Sequence, residues 1–238
     1  MVTLTAKGLY CPQGDFYIDP WRPVKRAVVT HAHSDHAYRG HGGYLVTKKG
    51  AGLLRLRLDP GARIETREYG EMIDMTGVKL SFHPAGHILG SAQVRIEYKG
   101  EIWVVSGDYK LMRDATCEPF EPIKCHHFIT EATFALPIYR WTPTEQVFDE
   151  INGWWRRNIE RGKASVLFAY ALGKSQRVMS GIDESLGPIF THGSVERLTE
   201  IYRDEGVTLP KTQYAGSVRN NLGFPVLERS CRNGSIAD

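Results

Sequence analysis

The alternation of apolar and polar residues predicts short strands throughout the first half of the chain. Lys99-Gly100 separates two such segments, as expected for the tight turn of a hairpin. Leucines at four positions between Gly50 and Leu58 instead favour a helix over that stretch. We predict strands at residues 16–18, 26–30, 78–83, 92–98, 102–106 and 123–130, the last of them buried.

The pattern changes at Trp141, after which apolar residues recur at helical spacing. Thr142-Pro143-Thr144-Glu145 has the form of a capping box with proline at the first helical position, which predicts the start of a long helix. An apolar strand is predicted over residues 165–172, followed by helices opened by Gly173-Lys174-Ser175-Gln176 and spanning residues 194–205. This alternation of strands and helices predicts the α/β class.

Composition fits a soluble globular protein of one large or two small domains. The chain has 238 residues, 42% of them hydrophobic and 24% charged, with a mean hydropathy of −0.33. These values exclude a disordered or fibrous protein. Its longest apolar stretches reach about half of the roughly 20 residues that a membrane helix needs, and the N-terminus lacks a signal-peptide pattern. We therefore expect a cytoplasmic protein without a membrane partner.

The net charge and the cysteines exclude fewer classes of protein than the overall composition does. Thirty Lys and Arg against twenty-seven Asp and Glu leave a net charge of +3, which does not by itself indicate nucleic-acid binding. Cys11, Cys117, Cys125 and Cys231 are scattered, without a CxxC pair. We predict free thiols, not a disulfide framework or a thiolate zinc site.

The segment His31-Ala32-His33-Ser34-Asp35-His36 carries four side chains of metal-ligand type in six residues. Side chains two apart in an extended chain point to the same side, and an Asp and a His slightly further on can face the same point from a helix start. This spacing arises by chance in roughly 6 of 10,000 sequences of this composition, so a merely histidine-rich loop is a poor alternative. The segment predicts a metal site.

Two later segments have the chemistry of further ligands. His87 lies in a glycine-flanked loop directly after a predicted strand, where functional side chains commonly lie. Asp108 follows an apolar strand, and a carboxylate there could bridge two cations. Each alone would also fit an ordinary turn residue, but their order after the histidine segment favours ligand roles.

These motifs together resemble the metallo-β-lactamase superfamily and, within it, the β-CASP nucleases. The resemblance is most specific to the bacterial ligase-associated DNA exonucleases, also described as mRNA 3′-end processing factor-like, and covers about residues 5 to 215. The segments that carry it are Thr30 to His36, Gly86-His87-Ile88-Leu89-Gly90-Ser91-Ala92, Ser106-Gly107-Asp108-Tyr109, Thr130-Glu131-Ala132-Thr133-Phe134 and Ala171-Leu172-Gly173-Lys174-Ser175-Gln176.

The resemblance implies a catalytic site with two Zn²⁺ ions. His31, His33 and His87 would hold one zinc, Asp35 and His36 the second, and Asp108 would bridge them. Asp19 matches an early aspartate that orients a ligand histidine. Glu131 matches the acidic residue that opens the β-CASP segment, although a carboxylate capping the next turn is its alternative. The implied catalytic residues are Asp35, Asp108 and Glu131.

The chain departs from the family pattern near its C-terminus. Two histidines expected there are absent, and His192 resembles the last motif only superficially, since a polar helix-entry residue explains it more simply. We therefore expect a truncated member whose second metal site and activity are impaired. The predicted organisation is a metallo-β-lactamase-like half at residues 1–134, a β-CASP-like cap segment at 135–215 and an unassigned tail at 216–238. The implied fold is an incomplete αββα sandwich with part of an inserted cap.

The function implied by the resemblance is zinc-dependent phosphodiester hydrolysis. We expect a DNA exonuclease of DNA repair, with DNA a more fitting substrate than RNA and with an ATP-dependent DNA ligase and a helicase as family partners. Four basic residues near the motifs could contact phosphates, although a solvated surface is the commoner role of such residues. They are Lys110, Arg113, Lys174 and Arg177. Two alternatives remain open: a small-molecule ester or thioester hydrolase of the superfamily, and an inactive zinc-binding fragment.

Overall fold

A computed structural model describes residues 1–217, which divide into two compact units. The first unit is Met1–Tyr139, and the second begins at Arg140. Strands and helices both occur, so the predicted α/β class is confirmed. Of the predicted tail, residues 218–238 lie outside the described residues, and Cys231 is among them. The other three cysteines are free thiols, as predicted.

The first unit contains a six-stranded sheet in sequential order. Its first two pairings are antiparallel, and the pairings from β3 to β6 are parallel. The helix α1, Ala51–Arg57, connects β5 and β6 and buries Leu53 and Leu54. The strands are β1 Thr3–Thr5, β2 Gly8–Cys11, β3 Phe16–Ile18, β4 Ala27–Val28, β5 Tyr44–Thr47 and β6 Ile64–Arg67.

A five-stranded sheet follows, in the order β11-β10-β9-β8-β7. Its pairings are antiparallel except β10 with β11, which is parallel. Lys99 and Gly100 take φ of 50° and 81° in the turn between β9 and β10, the left-handed geometry of a tight hairpin turn. The strands are β7 Ile73–Met75, β8 Val78–Pro84, β9 Ala92–Tyr98, β10 Glu101–Val105 and β11 His127–Ile129.

The two sheets share one hydrophobic core. Alternate side chains of β8 and β9 point to the same face, and these residues are buried together with side chains from β2 to β5. Phe16, Ile18 and Leu45 from the first sheet join Phe82 and Ile96 from the second in this core. Burying such side chains is the main stabilising contribution in a unit of this size.

The described part of the second unit contains three helices and a short parallel pair of strands. Gln176 of α3 is fully buried, and its side chain accepts from Gly173 N at 2.8 Å, so the predicted helix opening is confirmed. The elements are α2 Thr144–Glu160, α3 Lys174–Met179, β12 Ile189–Thr191, α4 Gly193–Asp204 and β13 Thr212–Tyr214, with 3₁₀ turns at Glu184–Leu186 and Ala215–Ser217.

Three predictions about elements are wrong. Residues 165–172 form no strand in the described chain, and Phe168 is 94% exposed, because an apolar run does not by itself supply a pairing partner. Strand β11 is shorter than predicted and not buried, because it lies at the edge of its sheet. The capping box is absent: Pro143 has an extended ψ of 139°, so the helix begins at Thr144 without a side-chain cap.

Gly90 is expected to be essential for packing in the first unit. Its φ is +73°, and a Cβ there would lie 2.2 Å from the backbone nitrogen of Gly50. We expect Gly90→Ala to lower the free energy of unfolding by at least about 3 kcal/mol, because backbone must move. Gly100→Ala, at φ +81° with nothing within 4 Å, is the matched control and should cost about 1 to 2 kcal/mol. Equal losses in denaturant titrations would contradict this steric account.

Candidate metal centre

The predicted ligands lie in loops that follow strands of both sheets. His31 follows β4 and Asp19 follows β3, whereas His87 follows β8 and Asp108 follows β10. The backbone N–H of Ala92 donates to Thr30 O at 2.9 Å, which joins the start of β9 to the chain leaving β4. Loops at strand ends carry functional side chains on a rigid scaffold, so this edge is suited to a site.

Three histidines and one aspartate converge there. His33 Nδ1 lies 3.0 Å from His31 Nε2 and 3.2 Å from His87 Nε2. Asp108 Oδ2 lies 3.5 Å from His87 Nε2 and 3.8 Å from His31 Nε2. One ligand atom from each of the four residues lies within 4.8 Å of the others. The structure thus brings together the residues predicted for the first metal.

The donor set and its spacing fit a tetrahedral metal ion. Metal–nitrogen bonds of 2.0 to 2.1 Å require donor atoms about 3.3 Å apart at the corners of a tetrahedron. Four of the six separations are 3.0 to 3.8 Å and lie around that value, and all six are within 4.8 Å. Each ring nitrogen of a neutral imidazole either donates to a neighbour or presents a lone pair, and three lone pairs can converge on one point only where a cation lies between them. Three imidazoles and a carboxylate are ligands that Zn²⁺ accepts.

Burial keeps the central imidazoles in the form that ligates metal. Desolvation, followed by the neighbouring His36, lowers the pKa of His31 well below its ordinary value. Desolvation and the neighbouring His33 lower the pKa of His87 to about 4. Both rings are therefore neutral near pH 7 and present a lone pair, as a metal ligand must.

A second cluster adjoins the first through Asp108. Its Oδ1 lies 3.3 Å from His36 Nε2, and that nitrogen lies 3.5 Å from Asp35 Oδ2. Burial alone would lower the pKa of His36, but hydrogen bonds to Asp108 and Asp19 overcome this and raise it to about 11. A cation bound to His36 would have to displace that proton. The two oxygens of Asp108 face the two clusters, which is the arrangement expected of a bridging carboxylate.

Asp19 orients His36, in agreement with the role that the resemblance implies. Its Oδ2 accepts from His36 Nδ1 at 2.7 Å, which leaves Nε2 facing Asp108. Its Oδ1 accepts from the backbone N–H of Thr30 at 2.8 Å. Asp19 has a φ of +42°, a conformation that non-glycine residues rarely adopt, and these hydrogen bonds hold it there.

The loop that carries His87 is fixed by contacts that sequence reasoning missed. Ser91 Oγ accepts from the backbone N–H of His87 at 3.1 Å and of Ile88 at 3.2 Å. Gly86 has a φ of +73°, and a Cβ there would lie 2.4 Å from Lys110 O. A serine a few residues after a loop histidine is the signal that could have indicated this turn.

Glu131 forms hydrogen bonds within its own turn. Its Oε2 accepts from the backbone N–H of Thr133 at 2.9 Å and from the Thr133 hydroxyl. The side chain is exposed, and within the described residues no hydrogen bond joins Glu131 to the histidine cluster. These contacts match the turn-capping alternative and give no support to a catalytic role.

Lys110 and Arg113 differ in their availability for phosphate contacts. Lys110 forms an ion pair with Asp114, and its side chain is only 18% exposed. The carboxylate of Asp114 offsets the positive charge of Lys110, so the ion pair does not favour the predicted phosphate contact. Arg113 is exposed and remains available for one.

In the second unit, the predicted basic residues make local contacts. Lys174 Nζ lies 5.4 Å from the centre of the Tyr170 ring, and Arg177 donates to Thr144 Oγ1 at 2.8 Å. His192 is the N-cap of α4, where its Nδ1 accepts from the backbone N–H of Ser194 at 3.2 Å. This capping contact agrees with the helix-entry role of His192.

Comparison with curated proteins finds relatives that are much longer than the region they share with this chain. A protein of Opitutus terrae named Probable DNA ligase is 36% identical over 206 residues, which are 85% of this chain and 20% of that protein. Endoribonuclease YSH1 of Saccharomyces cerevisiae is 30% identical over 53% of this chain and 16% of its own length. Transcription termination factor FttA of Methanosarcina mazei is 27% identical over 82% of this chain and 36% of its own. The chain spans well under half of each.

A solved structure from Enterococcus faecalis, described as a protein of unknown function, has a similar fold. Its TM-score is 0.55 at 12% sequence identity, covering 80% of this chain and 51% of the other. At that identity the similarity concerns the fold alone. No family model matches the chain. Among the described residues, no helix combines the length and apolarity needed to cross a membrane.

Proposed function

We propose that the chain, which belongs to the β-CASP branch of the metallo-β-lactamase superfamily, is a metal-dependent hydrolase of nucleic-acid phosphodiester bonds. The observation that carries the proposal is the convergence of His31, His33, His87 and Asp108, with the second oxygen of Asp108 facing His36. The names of the relatives support a nucleic-acid substrate, since they include an endoribonuclease and a probable DNA ligase.

The more specific proposal is a zinc-dependent DNA exonuclease that acts in DNA repair. A relative named as a probable DNA ligase, 36% identical over most of this chain, supports DNA as the substrate and a DNA ligase as a partner. The donor set of three imidazoles and one carboxylate supports zinc. The two sheets that share one core support the proposal that the first unit belongs to an αββα sandwich.

The chemistry divides between the bound metal and the chain's own residues. Two bound Zn²⁺ ions would supply a hydroxide near neutral pH and neutralise charge on a phosphodiester. His31, His33 and His87 would hold one ion, with Asp35 and His36 holding the other. Asp108 would present one oxygen to each cluster. Asp35 has a side chain that is 62% exposed and therefore lies where a substrate from solvent can approach.

The substrate class can be tested by comparing the hydrolysis rates of three substrates with different scissile bonds or sugars. Labelled single-stranded DNA, RNA and a lactoylglutathione-type thioester should be compared under identical zinc concentrations. We expect phosphodiester hydrolysis to be faster than thioester hydrolysis, with DNA preferred. Asp108→Asn serves as the control that attributes the activity to this site and not to a contaminating nuclease.

Each outcome of that comparison bears on one of the three functions considered. Faster turnover of the thioester would contradict the nuclease proposal and favour a small-molecule hydrolase. Zinc binding without hydrolysis of any of the three substrates would favour the inactive zinc-binding fragment. Faster hydrolysis of RNA than of DNA would keep the nuclease and overturn the choice of DNA.

A further inference from the structure

The hydroxyl of Thr30 lies between a carboxylate and a ligand histidine. Thr30 is 1% exposed, and its Oγ1 lies 2.6 Å from Asp19 Oδ2 and 3.1 Å from His31 Nδ1. The only role that sequence reasoning gave Thr30 was its place in the first motif. Its position beside His31 and Asp19 makes the location of each proton important for the ligand histidine.

The protons of this group can be assigned from its contacts. Asp19 also receives the backbone N–H of Thr30 and the ring Nδ1 of His36, so both of its oxygens act as acceptors. The Thr30 hydroxyl has one hydrogen, which it donates to Asp19 Oδ2 at 2.6 Å. Its oxygen must then accept from His31, whose proton therefore lies on Nδ1. The lone pair of His31 lies on Nε2, which faces His33 and Asp108.

We propose that Thr30 is a positioning residue that fixes the Nδ1–H tautomer of His31. The proposal rests on the metal centre proposed above and extends it. Asp19 holds His36 directly and holds His31 through Thr30, so one carboxylate orients a ligand of each cluster. The neighbouring ring nitrogen of a metal-binding histidine generally has such a partner, which sets the tautomer and orientation of the ring.

The surroundings keep the hydroxyl in this place. A Cβ at Gly107 would lie 2.6 Å from Thr30 Oγ1, so the absence of a side chain there leaves room for the hydroxyl. The backbone of Thr30 is held at both polar groups: its N–H donates to Asp19 Oδ1, and its O accepts from Ala92 N at 2.9 Å. A β-branched side chain on a fixed backbone has few rotamers, which keeps Oγ1 between its two partners.

The test compares Thr30→Val, which removes the hydroxyl at nearly the same volume, with Thr30→Ser, which keeps it. We expect Thr30→Val to weaken zinc binding about 10- to 100-fold in a chelator competition, as other partners of ligand histidines do when removed. Thr30→Ser should stay within about threefold of the unmutated protein, because its hydroxyl can make the same two hydrogen bonds. Equal zinc affinities of the valine and serine variants would overturn the proposal.

A second measurement needs no variant and no metal. Nitrogen NMR of the metal-free chain, with His31 assigned, should show its proton on Nδ1, and Thr30→Val should shift the population towards the Nε2–H form. A dominant Nε2–H form in the unmutated chain would overturn the proposal even if Thr30→Val failed to fold. If the unmutated chain bound no zinc, the proposed function would fail, whereas the tautomer would still decide the role of Thr30.

Discussion

Replacing His33 with alanine is expected to lower zinc affinity about 60- to 700-fold. His33 Nδ1 lies at the centre of the cluster, 3.0 Å from His31 Nε2 and 3.2 Å from His87 Nε2. A four-ligand zinc site contributes about 10 to 16 kcal/mol of binding free energy, so one ligand accounts for about 2.5 to 4 kcal/mol. At 1.4 kcal/mol per tenfold change, losing that share gives the expected range.

Elemental analysis and chelator competition on the purified protein would measure this effect. His192→Ala is the matched control, because it also removes a histidine but only the N-cap of α4, which costs about 1 kcal/mol of stability. It should leave zinc affinity unchanged. An unmutated protein without a transition metal would refute the metal centre. A loss of zinc in His192→Ala instead would give that residue a role that its capping contact does not indicate.

The convergence of the candidate ligands could be predicted largely because the first of them are close in sequence. His31, His33 and His36 lie within six residues, so local backbone geometry nearly determines their proximity. His87 and Asp108 come from other strands, and only the order of the motifs indicated that they would join the cluster. The contact of Asp19 with His36 spans 17 residues and was indicated only by resemblance to a known family.

The failed predictions share a different cause, because they depend on partners that a local pattern does not contain. Residues 165–172 have the apolar character of a strand but lack strand pairing in the described chain. Lys110 shows the same dependence, because its ion pair with the buried side chain of Asp114 is not visible in the local sequence, and its phosphate contact stays a prediction. The positioning role of Thr30 could not be predicted for the same reason, because it depends on Asp19 and His31 lying on either side of the hydroxyl.

The change Asp108→Asn is expected to abolish the second metal site and to reduce hydrolysis more than about 100-fold. Substituting residues that merely contact a ligand costs 10- to 100-fold, and loss of a bridging ligand should exceed that. Asp108 presents Oδ2 to His31 and His87 and Oδ1 to His36. An amide has one oxygen, and its nitrogen carries two hydrogens, so asparagine can serve only one of the two clusters.

Metal stoichiometry and phosphodiester hydrolysis, measured on the same preparations, separate this effect from unfolding. Asp15→Asn is the matched control, because it neutralises an exposed carboxylate whose ion pair with Arg26 is 3.4 Å long. Such surface pairs contribute about 0 to 1 kcal/mol, so the control should keep both its metal content and its activity. Among the described residues, only Asp108 has an oxygen facing each cluster. Unchanged hydrolysis in a folded Asp108→Asn variant would therefore contradict a bridging role.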